Sequence, residues 1–312
     1  MIILNGNEIQ NTRPLALTIG FFDGVHRGHL DLLRQVQESA AARGLQTAVI
    51  TFPESPRKVL GKGASPIRLL TTLEEKRDAL ADTDIHYCIE LPFTRELSQL
   101  SAHDFMLKYL KERYNTQLLL VGYDHHFGHD VDCGFTHYVT TGKALGIEVQ
   151  KAQRYFTPEG FSVSSTLIRG FLDQGDVEAA DLCLGRPYNL NGTVIQGQQL
   201  GRKLGFPTAN IRPDSNEKLI PQNGVYAIQA RVGEEKYDGM LNIGMRPTLE
   251  ESHNAMSIEA HLFNFEGNLY GRHLEIEFIY RMRDEHKFAS LDDLKRQLTL
   301  DACRAQQIFE HK

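Results

Sequence analysis

Several stretches of this sequence carry residue types that suit chemistry on phosphates. The first is Gly20-Phe21-Phe22-Asp23-Gly24-Val25-His26-Arg27-Gly28-His29. It follows the apolar run Leu15 to Ile19 and opens a helix pattern. Gly28 lets a phosphate approach the backbone, and a helix N-terminus adds free N–H groups and positive potential. His26 and His29 frame that glycine. Imidazoles so placed donate hydrogen bonds to charge that develops at an α-phosphorus during nucleotidyl transfer. Gly20, Phe21, Asp23 and Gly24 complete the expected phosphate-binding turn. A second stretch, Ser164-Ser165-Thr166-Leu167-Ile168-Arg169, starts another helix. Its hydroxyls, backbone N–H groups and arginine suit a pyrophosphate leaving group. On its own it is also an ordinary helix cap.

A third stretch, Gly197 to Ile211, has glycines at 197, 201 and 205, followed by Thr208 and Asn210. The glycines, with Arg202, Lys203 and Pro207, permit a loop folded closely over phosphates. In an extended segment Thr208 and Asn210 share one face. Two neutral oxygens there suit Mg²⁺ held partly by substrate phosphates. The P-loop spacing is absent. Spacing alone equally allows a Gly-rich hairpin with a structural Thr and Asn. A fourth stretch, Val121 to Asp130, places His125, His126 and His129 in a Gly-punctuated loop. A nucleobase or flavin wall is favoured there over a metal site, because no Cys or Glu stands at a matching spacing. A solvated loop remains the alternative for His129.

The elements around these stretches change type midway. Up to about residue 184 strand and helix signals alternate. Strands are expected at 15–20, 47–52, 85–91, 118–122 and 147–149, and helices at 29–43, 102–113 and 135–145. Thr71 to Glu74 reads as a capping box. Alternating strands and helices imply βαβ units and a parallel sheet, with ligands at the C-terminal strand ends. After Gly185-Arg186-Pro187 come β signals at 191–197, 225–232, 236–243, 257–265 and 273–281. Close antiparallel strands suggest a small barrel. A final helix is capped by Ser290 to Asp293, with Leu291, Leu294 and Leu298 as its apolar face.

Composition agrees with two modules. At roughly 150 residues per domain, 312 residues suggest about two. Residues 1–185 carry 18 Lys and Arg against 23 Asp and Glu, a net of -5; residues 186–312 carry 16 against 17, a net of -1. Neither half is a basic patch, so nucleic acid is a poor partner. No apolar run approaches a membrane span, and the N-terminus lacks the features of a signal peptide. Cys88, Cys133, Cys183 and Cys303 are widely spaced and read as reduced thiols of a cytoplasmic chain.

Taken together, GFFDGVHRGH, TFPESPRKVL (51–60), VGYDHHFGHD and SSTLIRGFL resemble the adenylyltransferase module of bacterial bifunctional riboflavin kinase/FMN adenylyltransferases (FAD synthetases). GRKLGFPTANI resembles the riboflavin kinase signature. It is accompanied by Pro221 to Tyr226, Asn242 to Thr248, Ile258 to His261, Leu269 to Gly271 and Arg283 to Phe288. The resemblance implies a Rossmann-like nucleotidyltransferase domain over 1–184 and a six-stranded riboflavin kinase barrel with a C-terminal helix over 185–312. It places Thr208 and Asn210 near Mg²⁺-ATP and makes Glu259 the catalytic base. Glu259 stands between Ile258 and Ala260 in a strand, so by pattern it is either a surface residue or a base facing a pocket. Phe52, Pro56, Asp124, Phe127 and Arg283 are the flavin-binding candidates. The implied substrates and products are ATP, riboflavin, FMN and FAD, and a homo-oligomer is compatible with the pattern. One departure is His125, at a position that is Phe in many members. Rival readings are a nucleotidyltransferase for another phosphorylated substrate, which leaves the second half unexplained, and a flavin sensor that has lost turnover.

Overall fold

The computed structural model describes residues 1–7, 13–61, 68–123, 127–128, 134–158, 160–197, 200–246 and 255–311. Asp124, His125, His126, His129 and Cys133 lie outside the described residues, as does the side chain of Lys203. The chain divides into two units, Met1–Ser164 and Ser165–Lys312.

In the first unit the strands are β1 (Ile2–Asn5), β2 (Leu15–Ile19), β3 (Gln46–Thr51), β4 (Tyr87–Glu90), β5 (Thr116–Val121) and β6 (Glu148–Lys151). They form one sheet in the order β1-β4-β3-β2-β5-β6, with every pairing parallel. Side chains of the central strand alternate between two cores. Leu15, Leu17 and Ile19 enter one cluster with Ile50 and Leu119. Ala16 faces the other with Val49, Cys88 and Leu120. The second cluster is closed by Leu33, Val36 and Ala40 of α1 (Arg27–Ala41), the buried stripe of that helix. The chain builds outward from β2 first on the β3 side and later on the β5 side, so the end of β2 is the switch point where such sheets bind ligands.

The other helices here are α2 (Pro56–Leu60), α3 (Leu73–Ala81), α4 (Arg95–Ser98), α5 (Ala102–Phe105) and α6 (Gly134–Leu145). The expected helix 102–113 becomes π-helical from Met106 to Arg113. Helix α1 starts two residues earlier than its apolar pattern, because His26 is its cap. The capping box of α3 is shifted by one from Thr71–Glu74. Thr72 accepts from Glu75 N–H and the Glu75 carboxylate accepts from Thr72 N–H. Thr71 is engaged elsewhere, as described below.

The second unit opens with α7 (Ser165–Asp173) and α8 (Val177–Leu184). Strands β7 (Asn189–Ile195), β8 (Ala209–Pro213), β9 (Gly224–Val232), β10 (Glu235–Arg246), β11 (Ala255–Leu262) and β12 (His273–Arg283) close a barrel in the order β10-β11-β8-β7-β12-β9. Five of the six have β signals. The sixth, β8, is short, ends in Pro213 and lacks alternation, yet it joins β7 to β11 and completes closure. Ile228, Ala230, Ile276 and Phe278 are fully buried, and Tyr226 meets Phe278 edge-on at 5.2 Å. A short helix, α9 (Leu200–Lys203), lies in the Gly-rich stretch. The chain ends in α10 (Leu291–Glu310), capped by Ser290, whose hydroxyl accepts from Asp293 N–H at 3.1 Å. Leu291 does not join the buried face and is exposed; Leu298, Ala302, Ala305 and Phe309 pack on Val225, Ala227 and Met240.

Two candidate active sites

In the first unit the turn after β2 is held in a costly shape. Phe22 has φ +56° and Val25 φ +37°, a left-handed region that side chains disfavour, and Gly24 follows suit at +85°. Such positions cost about 1–3 kcal/mol each and persist only where surrounding contacts impose them. Those contacts are visible. The buried Asp23 carboxylate accepts from Leu70 N–H at 2.9 Å and Thr71 N–H at 3.2 Å. Gly24 N–H donates to Thr71 Oγ1 at 3.0 Å. Thr71 thus serves the turn instead of capping α3. A Cβ on Gly20 would stand 2.8 Å from the Phe22 ring, so only glycine fits there.

The two histidines converge. Their rings stack at 3.6 Å with an interplanar angle of 12°. His26 Nδ1 accepts from His29 N–H at 3.3 Å. In a neutral ring an accepting Nδ1 leaves the proton on Nε2, which makes His26 a donor from its far edge. The Phe22 ring also meets His29, tilted, at 4.9 Å. Gly28 does more than admit a ligand. A Cβ there would press on the His26 ring at 3.3 Å and lie 3.6 Å from Val163 O. The segment just before Ser164 therefore rests on this turn. Ser165, Thr166 and Arg169 stand on α7, at the start of the second unit.

Of the flavin candidates of this unit, Phe52 and Phe127 are packed side chains, and Asp124 lies outside the described residues. Phe52 is buried and meets Phe93 edge-on at 5.2 Å. Phe127 is half-buried and stacks on Tyr138 at 4.2 Å, and the Tyr138 hydroxyl bonds both its N–H and its carbonyl. Pro56 opens α2. Lys76, not anticipated from sequence, is buried beside the turn.

In the barrel, strand register assembles the second site. Asn210 of β8 stands opposite Glu259 of β11. Ile258 and Ala260 are buried, whereas Glu259 is half-buried and lines a cleft of about 280 Å³. Of the two orientations open to it by pattern, it takes the pocket-facing one. Thr208 Oγ1 donates to Glu259 Oε2 at 3.2 Å. The same cleft is walled by His261, Arg283, Phe288, Leu294 and Leu298. A second cavity of about 320 Å³ is lined by Arg202, Pro207, Asn268 and Tyr270. Thr208 lines both cavities.

The Gly-rich stretch folds tightly around Thr208. A Cβ on Gly201 would stand 2.2 Å from Phe206 O, and one on Gly197 would stand 2.1 Å from Asn210 Nδ2. His261 Nδ1 pairs with Pro207 O at 2.8 Å and braces the loop. Thr208 and Asn210 supply neutral oxygens beside a carboxylate, a donor set that fits a hard cation such as Mg²⁺. Among the described residues no group of three or more His, Cys, Asp or Glu gathers around one point. Arg283 is held by Asp301 of α10, with Nη2 to Oδ2 at 2.6 Å and Nε to Oδ1 at 2.9 Å. Asp301 was not anticipated, although an acid three residues after Leu298 on an apolar helix face is a visible anomaly.

Each half of the chain matches a known family. Residues 8–167 match the family described as FAD synthetase, and residues 184–309 the one described as riboflavin kinase. The bifunctional riboflavin kinase/FMN adenylyltransferase of Haemophilus influenzae is 38% identical over 307 residues, covering 98% of this chain and 97% of that protein. The Escherichia coli (strain K12) protein of that name is 36% identical over 295 residues, covering 94% and 92%. The Bacillus subtilis (strain 168) one is 34% identical over 308 residues, covering 95% and 93%. A crystal structure described as a macrolide-efflux protein from Streptococcus pneumoniae has a TM-score of 0.87 at 28% identity, covering 98% of this chain and 99% of that one. With both halves matched in order and relatives aligned end to end, the chain belongs to the bifunctional riboflavin kinase/FMN adenylyltransferase family.

Proposed function

We propose the residue roles by which this bifunctional enzyme makes FMN in its barrel and FAD in its parallel-sheet unit. In the barrel, Glu259 accepts the proton of the riboflavin 5′-hydroxyl. That oxygen attacks the γ-phosphorus of ATP, and ADP leaves. One observation carries this reading: Thr208 lines both cavities while donating to Glu259 at 3.2 Å. A flavin in the Glu259 cleft and a nucleotide in the Arg202 cavity would then meet at Thr208. Gly201, Arg202, Lys203, Gly205 and Pro207 fold over the phosphates, and Arg283 borders the flavin. Thr208 and Asn210 would hold Mg²⁺, which when bound neutralises phosphate charge.

In the N-terminal module, residues 1–184, the FMN phosphate attacks the α-phosphorus of a second ATP, and pyrophosphate leaves. His26 and His29 donate to the α-phosphate as its charge grows. Gly20, Phe21, Asp23, Gly24 and Gly28 shape the pocket. Ser164, Ser165, Thr166 and Arg169 hold the departing phosphates. Phe52, Pro56, Asp124 and Phe127 border the flavin. The modules in this proposal are residues 1–184 and 185–312, and the chain works in the cytoplasm on soluble small molecules. No helix among the described residues is long and apolar enough to cross a membrane, which is compatible with that setting.

Separating flavins after incubation with Mg²⁺ and ATP tests the roles. Glu259→Ala should stop FMN formation from riboflavin and spare FAD formation from supplied FMN. His29→Ala should do the converse, with a loss of about 10²–10³ in turnover. Loss of both activities in either variant would refute the division of roles.

A further inference from the structure

Lys76 is a buried charge that neither reaction step uses. It is the fourth residue of α3, and only 3% of its surface is exposed. Its Nζ donates to Phe52 O at 2.7 Å and to Phe21 O at 3.2 Å, and sits 4.5 Å from the centre of the Phe21 ring. Phe52 directly follows β3, and Phe21 lies in the turn after β2. The two strands are paired neighbours up to Ile19 and Ile50. One ammonium therefore ties together two adjacent strand ends at the edge of the sheet where ligands bind. Thr51 Oγ1 adds a third bond, donating to Phe21 O at 3.1 Å.

We propose that Lys76 is a positioning residue for adenylyl transfer, its ammonium fixing the Phe21 carbonyl and through it the turn that presents His26 and His29. The proposal rests on the assignment of that turn to FAD formation. A lysine is almost never fully buried without a partner. Here both bonded acceptors are neutral carbonyls, which charge-assisted donation holds about twice as strongly as neutral donation. Burial pushes the ammonium down to about 8, against the pull of the Asp23 carboxylate in the turn. Glu90 on β4 also favours the charge, and Arg77 on the same helix opposes it. Those two are paired with each other at 2.6 Å. The neighbouring Cys88 thiol on β4 is pushed up to about 12 by burial and stays neutral across the working range.

The charge is therefore lost within reach of ordinary assay conditions, and only the first unit should feel it. In the wild-type enzyme FAD formation from FMN should fall as pH rises through about 8, while FMN formation from riboflavin does not follow. Lys76→Met keeps a side chain of similar length without a donor. It should lower kcat for FAD formation by about 10–10²-fold, as misplacement of reacting groups by 1 Å does, with little change in KM for ATP. The remaining activity should lack the alkaline limb, and FMN formation by the same preparation should be unchanged. Wild-type turnover in the variant, or a limb that persists in it, would overturn the proposal. If the variant loses the unfolding transition of its first unit, the wild-type profile decides, and a flat response from pH 7 to 9 overturns the proposal. His29→Ala tests the site assignment separately.

Discussion

Removing the Asp301 carboxylate should cripple the kinase half and leave FAD formation from FMN intact. Arg283 and Asp301 have side chains only 16% and 4% exposed, so the pair is nearly dry. Asp301 accepts from Arg283 Nε and Nη2 and from Gln297 Nε2 at 2.9 Å. In Asp301→Ala the guanidinium keeps its bond to Asp284 O but loses its buried counter-charge. Breaking a buried pair from one side costs about 3–5 kcal/mol. With a urea dependence near 2 kcal/mol per M, the midpoint of the barrel unit should fall by about 2 M. Domains hold about 5–15 kcal/mol, so enough folded barrel remains at 25 °C for an activity measurement. Arg283 walls the Glu259 cleft, and its release should raise the KM for riboflavin. Asp301→Asn, which keeps an acceptor for Gln297, should be milder. The assays are urea unfolding by circular dichroism and flavin separation from riboflavin or FMN as starting material. A stability loss below about 1 kcal/mol with an unchanged riboflavin KM would refute the reasoning, since that is what an exposed ion pair is worth.

Two further outcomes follow from burial and close contact. Gly197→Ala would drive a Cβ to 2.1 Å from the Asn210 amide, forcing Asn210 away from its place opposite Glu259; FMN formation should drop, with a cost of about 1–3 kcal/mol to the barrel, while FAD formation from FMN stays. Lys76 links stability to pH. Burial lowers it from 10.5 to about 8, so between those values the unfolded chain binds more protons and stability rises with pH. Measured against Lys76→Met, the wild-type unfolding free energy should gain roughly 3 kcal/mol from pH 7 to above 10.5. A constant difference between the two proteins would contradict the buried charge.

Much of the site was legible because its signals are local. The two histidines framing Gly28, the glycine at 20 and the Thr208–Asn210 spacing depend on residues within one or two turns of each other. Five of the six strands of the sheet were legible because apolar runs bounded by turn residues need no knowledge of partners; β1 (Ile2–Asn5) was not, and its place follows from pairing with β4. Strand β8 was not, since five residues ending in proline carry little pattern. Its place follows from pairing with β7 and β11. The capping box was misplaced by one residue because Thr71 and Thr72 have the same chemistry, and only the bonds from Asp23 and Gly24 tell them apart.

By itself the sequence determined part of the chemistry on offer: two imidazoles framing a glycine at a strand-to-helix turn, and two neutral oxygens two residues apart in the second half, whereas Glu259 joined them only through the family resemblance. Backbone conformation over a few residues answers to side-chain type and spacing, so those features could be read directly. Tertiary structure alone decided which side of β11 faces the cleft, why Lys76 is buried and how Asp301 reaches Arg283. Thr208 bonds Glu259 from 51 residues away, and Asp23 bonds Leu70 from 47. Burial and partnership at such separations are properties of the packed chain, where removing water makes each polar group's partner a requirement.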